Sequence, residues 1–347
     1  MKHWQSRELT LLAAMRARFL AGSAGDADYW LSDEELALYD ATFAARIGWK
    51  IDAAIRALGA VGWRPQSRRV LDWGCGTGIA TRRVLDAWPA FTTAAFHDRS
   101  ARAVAYASAR LHESHPRVGT AEPRADRDTL LLVSHVLNEL PEPALDGLLT
   151  QVRAAGEVIW IEAGTHADSR RLISIRERLL AEAEPPSVVA PCTHQTRCGL
   201  LAEENERHWC HHFAQPPAAV FQDARWHELS RELGIDLRAL PYSYLVLTRH
   251  VAPALDGASR VLGGLRESKG YCRLQSCAAD GVRELMLQKR DGPELFKTLT
   301  KRIEWPLFRW QLDAGKIVGG NAVLQQCADD QRDRDRDHRP QPERESE

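Results

Sequence analysis

Apolar side chains recur every three or four positions along the first part of the chain, which is the spacing of an amphipathic helix. In the clearest stretch they are Leu36, Tyr39, Phe43 and Ile47. Ser32 and Glu35 precede this stretch at the spacing of a capping box, in which a hydroxyl and a carboxylate satisfy the free N–H groups of a first helical turn. We therefore predict an N-terminal helical region over residues 1–60.

The middle of the chain alternates short, continuously apolar runs with helical stretches. The runs cover residues 70–73, 92–96, 129–136, 158–161 and 242–247. Strands that are buried on both faces of a parallel sheet have this pattern. We predict a doubly wound, Rossmann-like α/β sheet over residues 61–252. Residues 185–217 interrupt the alternation with Pro, Cys, His and Trp, and this predicts a long loop.

Beyond residue 252 the pattern changes to short strand-like segments around residues 271–277 and 283–288. Asp-Gly pairs at 280–281 and 291–292 flank the second segment and are typical of turns. These features predict a small β-rich lobe over residues 253–327. Residues 328–347 have almost no apolar side chain and a dense run of charges, so we predict a disordered tail there.

Composition narrows the class of protein. The chain has 347 residues, of which 44% are hydrophobic and 27% charged, as in globular proteins. No apolar run approaches the roughly 18 residues of a membrane span, so we expect no membrane partner and a cytoplasmic location. Residues 256–310 hold eleven Lys or Arg against seven acids. This excess is a weak indication of nucleic-acid binding, and an ordinary solvated surface explains it equally well.

A glycine-rich turn provides the first chemical motif. The sequence V-L-D-W-G-C-G-T-G spans residues 70–78, where a strand ends at Asp72 and a helix is predicted to begin near Ile79. Glycines let the backbone turn sharply and approach a ligand, and the helix start offers free N–H groups. About twenty residues further on, Asp98 is placed to bind ribose hydroxyls. The predicted cofactor-binding residues are Asp72, Gly74, Gly76, Gly78 and Asp98.

The spacing of these glycines distinguishes between cofactors. G-x-G-x-G after V-L-D is similar to motif I of class I S-adenosylmethionine-dependent methyltransferases, whereas NAD enzymes have G-x-G-x-x-G. A dinucleotide dehydrogenase and a purely structural turn remain alternatives. We assign no catalytic residue. His135, Asn138 and Glu139 follow the strand near which such folds place substrate, but packing or helix capping accounts for them equally well.

Four cysteines form the second motif. Three lie in P-C-T-H-Q-T-R-C-G-L and W-C-H-H-F and one in C-A-A-D-G, separated by five, eleven and 66 residues; they are Cys192, Cys198, Cys210 and Cys277. Four thiolates fit either tetrahedral zinc or an iron-sulfur cluster. The chain lacks the close C-x-x-C pairs of zinc ribbons, which favours the cluster without settling the metal. Four nearby histidines could replace a thiolate: His194, His208, His211 and His212. We expect the remaining cysteines, Cys75, Cys272 and Cys327, to be free thiols.

The motifs together resemble a known family. The chain resembles the mitochondrial small-ribosomal-subunit assembly proteins of the methyltransferase-like class and their bacterial relatives. The resemblance rests on P-C-x-H-x-x-x-C-x-L, W-C-H-x-F and K-G followed by C-x-x-D-G, which come after the glycine motif and E-A-G-T at 162–165. The resemblance covers about residues 31–305. It implies a class I methyltransferase fold with a small C-terminal extension, association with small-subunit rRNA, and a four-iron, four-sulfur (4Fe-4S) cluster on Cys192, Cys198, Cys210 and Cys277.

Some positions depart from the family pattern. Thr193 and Gly199 stand where prolines are expected, His211-His212 is doubled, and W-P-L at 305–307 replaces W-G-D. All four cysteines are nevertheless present.

Two functions follow from this sequence. The first is a ribosome-assembly factor that binds S-adenosylmethionine, rRNA and an iron-sulfur cluster, the cluster joining the basic C-terminal lobe to the core. The second is an active S-adenosylmethionine-dependent RNA methyltransferase, and a zinc-binding methyltransferase-like protein is a third possibility. The expected partner is the small ribosomal subunit with its rRNA, and we expect no DNA. In a eukaryote the expected location is the mitochondrial matrix.

Overall fold

A computed structural model describes residues 3–20, 30–300 and 307–323, so the predicted tail lies outside the described residues. The α-helices are α1 Ser6–Leu20, α2 Asp33–Tyr39, α3 Ala45–Ala60, α4 Ile79–Ala87, α5 Ala101–Ser114, α6 Glu142–Ala154, α7 His166–Leu180, α8 Ala224–Leu233 and α9 Pro293–Thr300. The strands are β1 Arg69–Trp73, β2 Thr93–His97, β3 Gly119–Thr120, β4 Thr129–Ser134, β5 Glu157–Ala163, β6 Ser187–Ala190, β7 His212–Ala214, β8 Leu240–Thr248, β9 Ser259–Ser268, β10 Tyr271–Ala278, β11 Gly281–Gln288, β12 Leu307–Asp313 and β13 Lys316–Ala322. None of the helices in these ranges is long and apolar enough to cross a bilayer.

The central sheet has the strand order β3-β2-β1-β4-β5-β8-β6, and β7 pairs with one end of β8. Strands β1 to β5 are parallel, and β8 runs antiparallel to β5. The chain moves outward from β1 to β3 and then returns to the other side of β1 as β4, which creates a switch point between β1 and β4. This is the arrangement of class I methyltransferases. The predicted α/β class is therefore confirmed.

The sheet differs from the prediction at its far edge. The apolar run at 242–247 was expected to be a parallel strand, but β8 is antiparallel to both β5 and β6. Burial on both faces produces a continuous apolar run whichever way a strand points, so the pattern does not carry the direction. The predicted loop at 185–217 also contains β6 and β7. These strands have only four and three residues, too few to give a recognisable pattern.

The N-terminal region is helical, as predicted, and its helices pack against one face of the sheet. Ser32 caps α2, and its hydroxyl accepts a hydrogen bond from the Glu35 N–H at 3.2 Å. The Glu35 carboxylate accepts from Leu31 N at 3.1 Å and pairs with Arg18 at 2.7 Å. The capping residue is thus the predicted one, while the carboxylate joins α1 to α2. A five-residue π-helical turn, Asp40–Ala44, then continues α2 into α3.

The C-terminal lobe is β-rich, as predicted, and its five strands close into a barrel in the order β10-β11-β13-β12-β9. Inward-facing side chains form a separate small core, which includes Leu274, Leu285, Leu287, Phe308 and Ile317. Helix α9 lies between β11 and β12 in the sequence and contributes Phe296 and Leu299 to this core. In the described residues each barrel strand has a neighbour on both sides, although β11 and β13 meet at a single residue pair, Met286 and Lys316.

The barrel packs on the segment between β6 and β7. The Gly263 N–H donates to the His211 carbonyl at 3.1 Å, and Thr193 Oγ1 donates to the Ala258 carbonyl at 2.9 Å. A Cβ atom on Gly199 would lie 2.8 Å from Gly281 Cα, so the two backbones approach too closely for a side chain. This contact brings the end of β10 against the sheet.

Candidate functional site

A cavity of about 600 Å³ opens at the carboxyl ends of β1, β2, β4 and β5. This is the edge at which doubly wound sheets bind ligands. The glycine turn after β1 forms one wall, together with the aromatic stack of Trp73 on His97, whose ring centroids are 4.9 Å apart. The N-terminal helical region supplies the opposite wall through Phe19, Trp30, Tyr39 and Ile47.

Two glycines of the turn meet different constraints. Gly74 has a φ of +73°, and a Cβ there would lie 2.4 Å from Val136 Cγ1. Gly76 has a φ of +49°, but a Cβ there would meet no atom within 4 Å. Backbone conformation therefore favours glycine at both positions, and the space above Gly76 is open to a ligand.

The two predicted carboxylates occupy different places. Asp98 lines the cavity, where it accepts hydrogen bonds from the N–H groups of Gly76 and Ser100, each at 2.9 Å. Asp72 lies behind the turn, 1% exposed, and accepts from the Thr81 hydroxyl at 2.9 Å. Its Oδ1 atom is buried without a partner, and burial raises its pKa to about 7. Gly78 begins α4 behind the turn. Thus Gly74, Gly76 and Asp98 line the cavity, whereas Asp72 and Gly78 support it.

Acidic groups predominate along the cavity wall. Among the described lining residues, four carboxyl side chains accompany one guanidinium, that of Arg99; the acids are Asp98, Glu139, Glu162 and Asp168. Burial raises the pKa of Glu162 to about 8, although its Oε1 accepts from Trp160 Nε1 at 2.7 Å. Burial, with the nearby Asp98 charge, also raises the pKa of Glu139. Such a wall stabilises a cationic ligand and disfavours an anionic one.

A half-buried Lys–His pair lies beside the cavity. Lys50 Nζ, on α3, is 3.3 Å from Nε2 of His135, which lines the cavity in a left-handed backbone conformation with φ +57°. Burial and the Arg46 charge lower the pKa of Lys50 to about 7. Burial and the Lys50 charge hold the pKa of His135 well below its usual value. Asn138 and Glu139 also line the cavity, in a short 3₁₀ turn, and α6 begins after Pro141.

The four candidate cysteines line one small cavity of about 30 Å³, which we call the thiol cavity. Cys192 and Cys198 follow β6, Cys210 precedes β7, and Cys277 is on β10 of the barrel. Burial raises the pKa of Cys198 to about 11 and holds that of Cys210 well above its usual value, with a smaller contribution from neighbouring thiolates. The fold thus brings together residues separated by up to 85 positions in the sequence. Their role as metal ligands stays a prediction.

Two buried guanidinium groups flank the thiol cavity. Arg176, on α7, is 2% exposed and donates to the carbonyls of His194 and Thr196, each at 3.0 Å. Arg260, on β9, is 3% exposed and donates to the Pro191 carbonyl. The Arg260 charge lowers the pKa of Cys210 and Cys277 against the larger effect of burial. The two cations therefore offset part of the effect of burial, which on balance still favours the thiol forms.

The other candidate ligands lie apart from the thiol cavity. None of the loop histidines that were predicted as possible replacements lines it, although His212 Nε2 is 3.7 Å from Cys210 Sγ. Cys75 and Cys272 are buried elsewhere as free thiols. Within the described part of the chain, no group of three or more His, Cys, Asp or Glu side chains has the arrangement that holds a single metal ion.

Sequence reasoning missed the residues that the N-terminal helices contribute. Phe19, Trp30 and Lys50 are far in sequence from the glycine turn, and nothing in their helical pattern indicates which side chains face a ligand. Arg176 and Arg260 were also missed, since a buried arginine has the same appearance in a sequence as a solvated one.

Several solved structures of methyltransferases are similar to this chain at low identity. The plantazolicin methyltransferase BamL, in complex with S-adenosylhomocysteine, is 9% identical over 70% of this chain and 99% of its own, with a TM-score of 0.39. The plantazolicin methyltransferase BpumL is 12% identical over 71% and 100%, with a TM-score of 0.36. TrmK from M. capricolum is 7% identical over 57% and 69%, with a TM-score of 0.30. No curated protein matches the chain.

The profile of one protein family matches the chain over residues 39–307, from the last residue of α2 to the first residue of β12. The matched segment contains the glycine turn, all four cysteines of the thiol cavity and the lining of the cofactor-sized cavity except Phe19 and Trp30. Because it makes up well over half of the 347 residues, the chain belongs to the family described as mitochondrial small ribosomal subunit Rsm22.

Proposed function

We propose that the protein is a methyltransferase-like assembly factor of the small ribosomal subunit that binds S-adenosylmethionine, rRNA and a 4Fe-4S cluster. The observation that carries the proposal is that a chain matched by a small-ribosomal-subunit family over residues 39–307 has both an acid-lined cavity at the sheet's ligand edge and a cavity lined by four thiols. By this proposal the protein works in the cytoplasm of a bacterium or the mitochondrial matrix of a eukaryote.

The charge of the first cavity supports S-adenosylmethionine over a dinucleotide. S-adenosylmethionine carries a sulfonium and an ammonium group against one carboxylate, so it is a net cation. Its positive groups would lie among Asp98, Glu139, Glu162 and Asp168. The pyrophosphate of a dinucleotide would face the same acids and be repelled. The volume of about 600 Å³ also suits a ligand of this size, since such pockets measure roughly 300–1,000 Å³.

The donor set Cys192, Cys198, Cys210 and Cys277 has the chemistry of an iron-sulfur site, and binding a cluster would require the thiol cavity of about 30 Å³ to widen. Four thiolates around a bound cluster carry a net negative charge, which Arg176 and Arg260 would offset. The described side chains include no group of three or more His, Cys, Asp or Glu arranged to hold a metal ion, so their positions do not discriminate between zinc and a cluster. The lack of close C-x-x-C pairs and the family resemblance favour the cluster, so we propose it and retain zinc as the alternative. When bound, it supplies a rigid link between the sheet and the barrel.

Metal and sulfide analysis tests the cluster. Anaerobically purified protein is expected to be brown and to contain roughly four iron and four sulfide per chain. Stoichiometric zinc without sulfide would refute this part of the proposal and leave the S-adenosylmethionine cavity unaffected. For the cofactor, calorimetric titration with S-adenosylmethionine is expected to show one site per chain that NAD does not occupy.

The Lys50–His135 pair favours a second candidate function, that of an active RNA methyltransferase. Burial lowers the pKa of Lys50 to about 7, so about half of the amine is neutral near pH 7, and it holds the pKa of His135 well below its usual value, so the imidazole is neutral. An imidazole that carries its proton on Nε2 would donate it to the neutral Lys50 amine, which leaves Nδ1 to accept a proton from a methyl acceptor. This would serve an acceptor whose nucleophilic atom carries a proton.

Comparison of rRNA from cells with and without the gene separates the two functions. The assembly factor predicts that immature small subunits accumulate while every methyl mark persists. The methyltransferase predicts one missing mark that wild type restores and that Lys50→Met and His135→Phe fail to restore. If a mark is lost and neither variant affects its recovery, the pair is not the base.

A further inference from the structure

The connectivity of the C-terminal barrel identifies its type. Strands β9, β10 and β11 form an antiparallel meander, α9 follows, and β12 and β13 form a hairpin. The barrel closes where β13 runs parallel to β11, at Met286 and Lys316, and where β12 runs antiparallel to β9, at Leu307 and Arg260. A five-stranded barrel with this strand order and a helix between its third and fourth strands is an OB-fold.

OB-folds bind oligonucleotides on the outer face of their second and third strands and on two flanking loops. We propose that the exposed half of the β10–β11 face, bordered by these loops, binds single-stranded RNA. The inference rests on the proposed function in one respect: small-subunit rRNA is the RNA to which the surface would be applied.

The β10–β11 face is divided into two halves. At one end, Cys277 pairs with Val282, and both pack with Leu262 and Leu200 against the sheet domain. That half is buried by docking. At the other end, Tyr271 and Arg273 of β10 lie opposite Gln288 and Met286 of β11 and remain outside the docking contact. Docking therefore leaves one half of the face open to solvent.

The exposed half combines an aromatic ring with fixed cations. The Arg273 guanidinium lies 5.8 Å from the centroid of the Tyr271 ring. Glu284, on the neighbouring strand β11, accepts hydrogen bonds from Arg273 at 2.6 Å and from Arg266 on β9. One carboxylate thus holds two guanidinium groups beside one ring, while their remaining N–H groups face solvent. Stacking on a ring and contact with backbone phosphates are what single-strand binding requires.

The two flanking loops carry further cations. The β9–β10 hairpin places exposed Lys269 next to Gly270, whose carbonyl accepts from the Lys289 N–H at 2.9 Å. The β12–β13 hairpin ends at exposed Lys316, opposite Met286. Residues 260–290 hold seven Lys or Arg against three acids. Both loops therefore surround Tyr271 with positive charge, which attracts the phosphate backbone.

The geometry favours a single strand over a duplex. Bases in an RNA duplex are stacked on each other and leave no free face for the Tyr271 ring, whereas an unpaired base can stack on it. Only about half of the face is open, so the site suits a short segment. OB-folds contact about 4 to 16 nucleotides.

Fluorescence anisotropy with the full chain tests the proposal, using a labelled single-stranded RNA of about 12 nucleotides. Tyr271→Ala is expected to weaken binding about tenfold, and Tyr271→Phe is expected to retain it because the ring remains. Arg273→Ala should weaken binding and reduce its dependence on salt. Arg231→Ala is the matched control, since Arg231 is 73% exposed on α8, away from the barrel. The same RNA annealed to its complement should bind more weakly.

Three outcomes would overturn the proposal. Equal affinity of wild type, Tyr271→Ala and Arg273→Ala would place the RNA site elsewhere and leave the assembly function intact. Tighter binding of the duplex would exclude base stacking. Absence of RNA binding by the wild-type chain would overturn the surface, and normal small subunits in cells without the gene would separately overturn the assembly function. Unchanged thermal unfolding midpoints would exclude misfolding as the cause of any loss.

Discussion

Two cysteines on the same strand offer a matched test of the thiol cavity. Cys277 lies at the docked end of β10 and lines the cavity, whereas Cys272, five residues earlier, is fully buried in the barrel core. Both side chains are buried thiols of one chemical type. We predict that Cys277→Ala abolishes stable cluster binding and loosens the barrel from the sheet, while Cys272→Ala leaves both unchanged.

The magnitude follows from the spacing of the ligands. Sixty-six residues separate Cys210 from Cys277, and closing a loop of that length costs about 4 kcal/mol of chain entropy. A cluster that holds both ends offsets that cost. If the link supplied all of the docking energy, its loss would raise the undocked population by about a thousandfold. Contacts of Leu262 and Val282 supply part of it, so we expect an increase of about tenfold to a hundredfold.

Limited trypsin proteolysis after Arg260 measures undocking, because Arg260 on β9 is only 3% exposed in the docked protein. Iron and sulfide analysis of the same samples measures the cluster. Cys277→Ala should lose iron and sulfide and be cleaved faster, whereas Cys272→Ala should lose about 1 kcal/mol of barrel stability from a small cavity and keep its metal. Equal metal content and equal cleavage rates in the two variants would refute the reasoning.

Three further predictions concern other buried groups. Burial raises the pKa of the Asp72 carboxyl to about 7 in the folded protein, so its protonated form contributes full stability below about pH 4, and this contribution is lost as pH rises to 7. Asp72→Asn, which cannot ionise, should therefore be more stable than wild type at pH 8 by at most about 4 kcal/mol. Parallel pH profiles of the two proteins in urea unfolding would contradict this. Gly74→Ala should weaken S-adenosylmethionine binding, measured by calorimetry, by more than about tenfold, because the new Cβ meets Val136. Gly59→Ala, in open space on α3, is the control: it should keep this binding and gain up to about 1 kcal/mol of folding stability. Arg176→Met should lower the free energy of unfolding by about 3–5 kcal/mol and reduce the iron content, because two carbonyls and the thiolates lose a buried cation. Normal iron content would show that the charge is dispensable.

Local patterns were sufficient to predict much of the sheet and the turn. Strand β4 has five buried residues out of six, and its continuous apolar run indicates burial directly. The glycine turn is encoded within nine consecutive residues, so it also needs no information from elsewhere in the chain. The direction of β8 could not be predicted, since neighbours far along the chain determine it. Closure of the barrel was also hidden, because the β11–β13 contact rests on one residue pair.

The two sites differ in how far sequence could define them. The glycine turn and Asp98 are close in sequence and meet at the cavity as expected. The wall formed by Phe19, Trp30 and Tyr39 depends on how the N-terminal helices pack, which no local pattern states. The cysteines could be recognised as a set, but only the fold reveals that they surround one cavity with two buried arginines.

The position of the thiol cavity argues for a structural role. It shares no lining residue with the cofactor-sized cavity. A cluster there would hold the Cys277 end of β10, and so would fix the opposite end of the same strand, with Tyr271 and Arg273, relative to the sheet. One eight-residue strand, β10, carries the ligand Cys277 at one end and Tyr271 with Arg273 at the other. Loss of the cluster should therefore impair RNA binding without any change in the RNA-binding side chains.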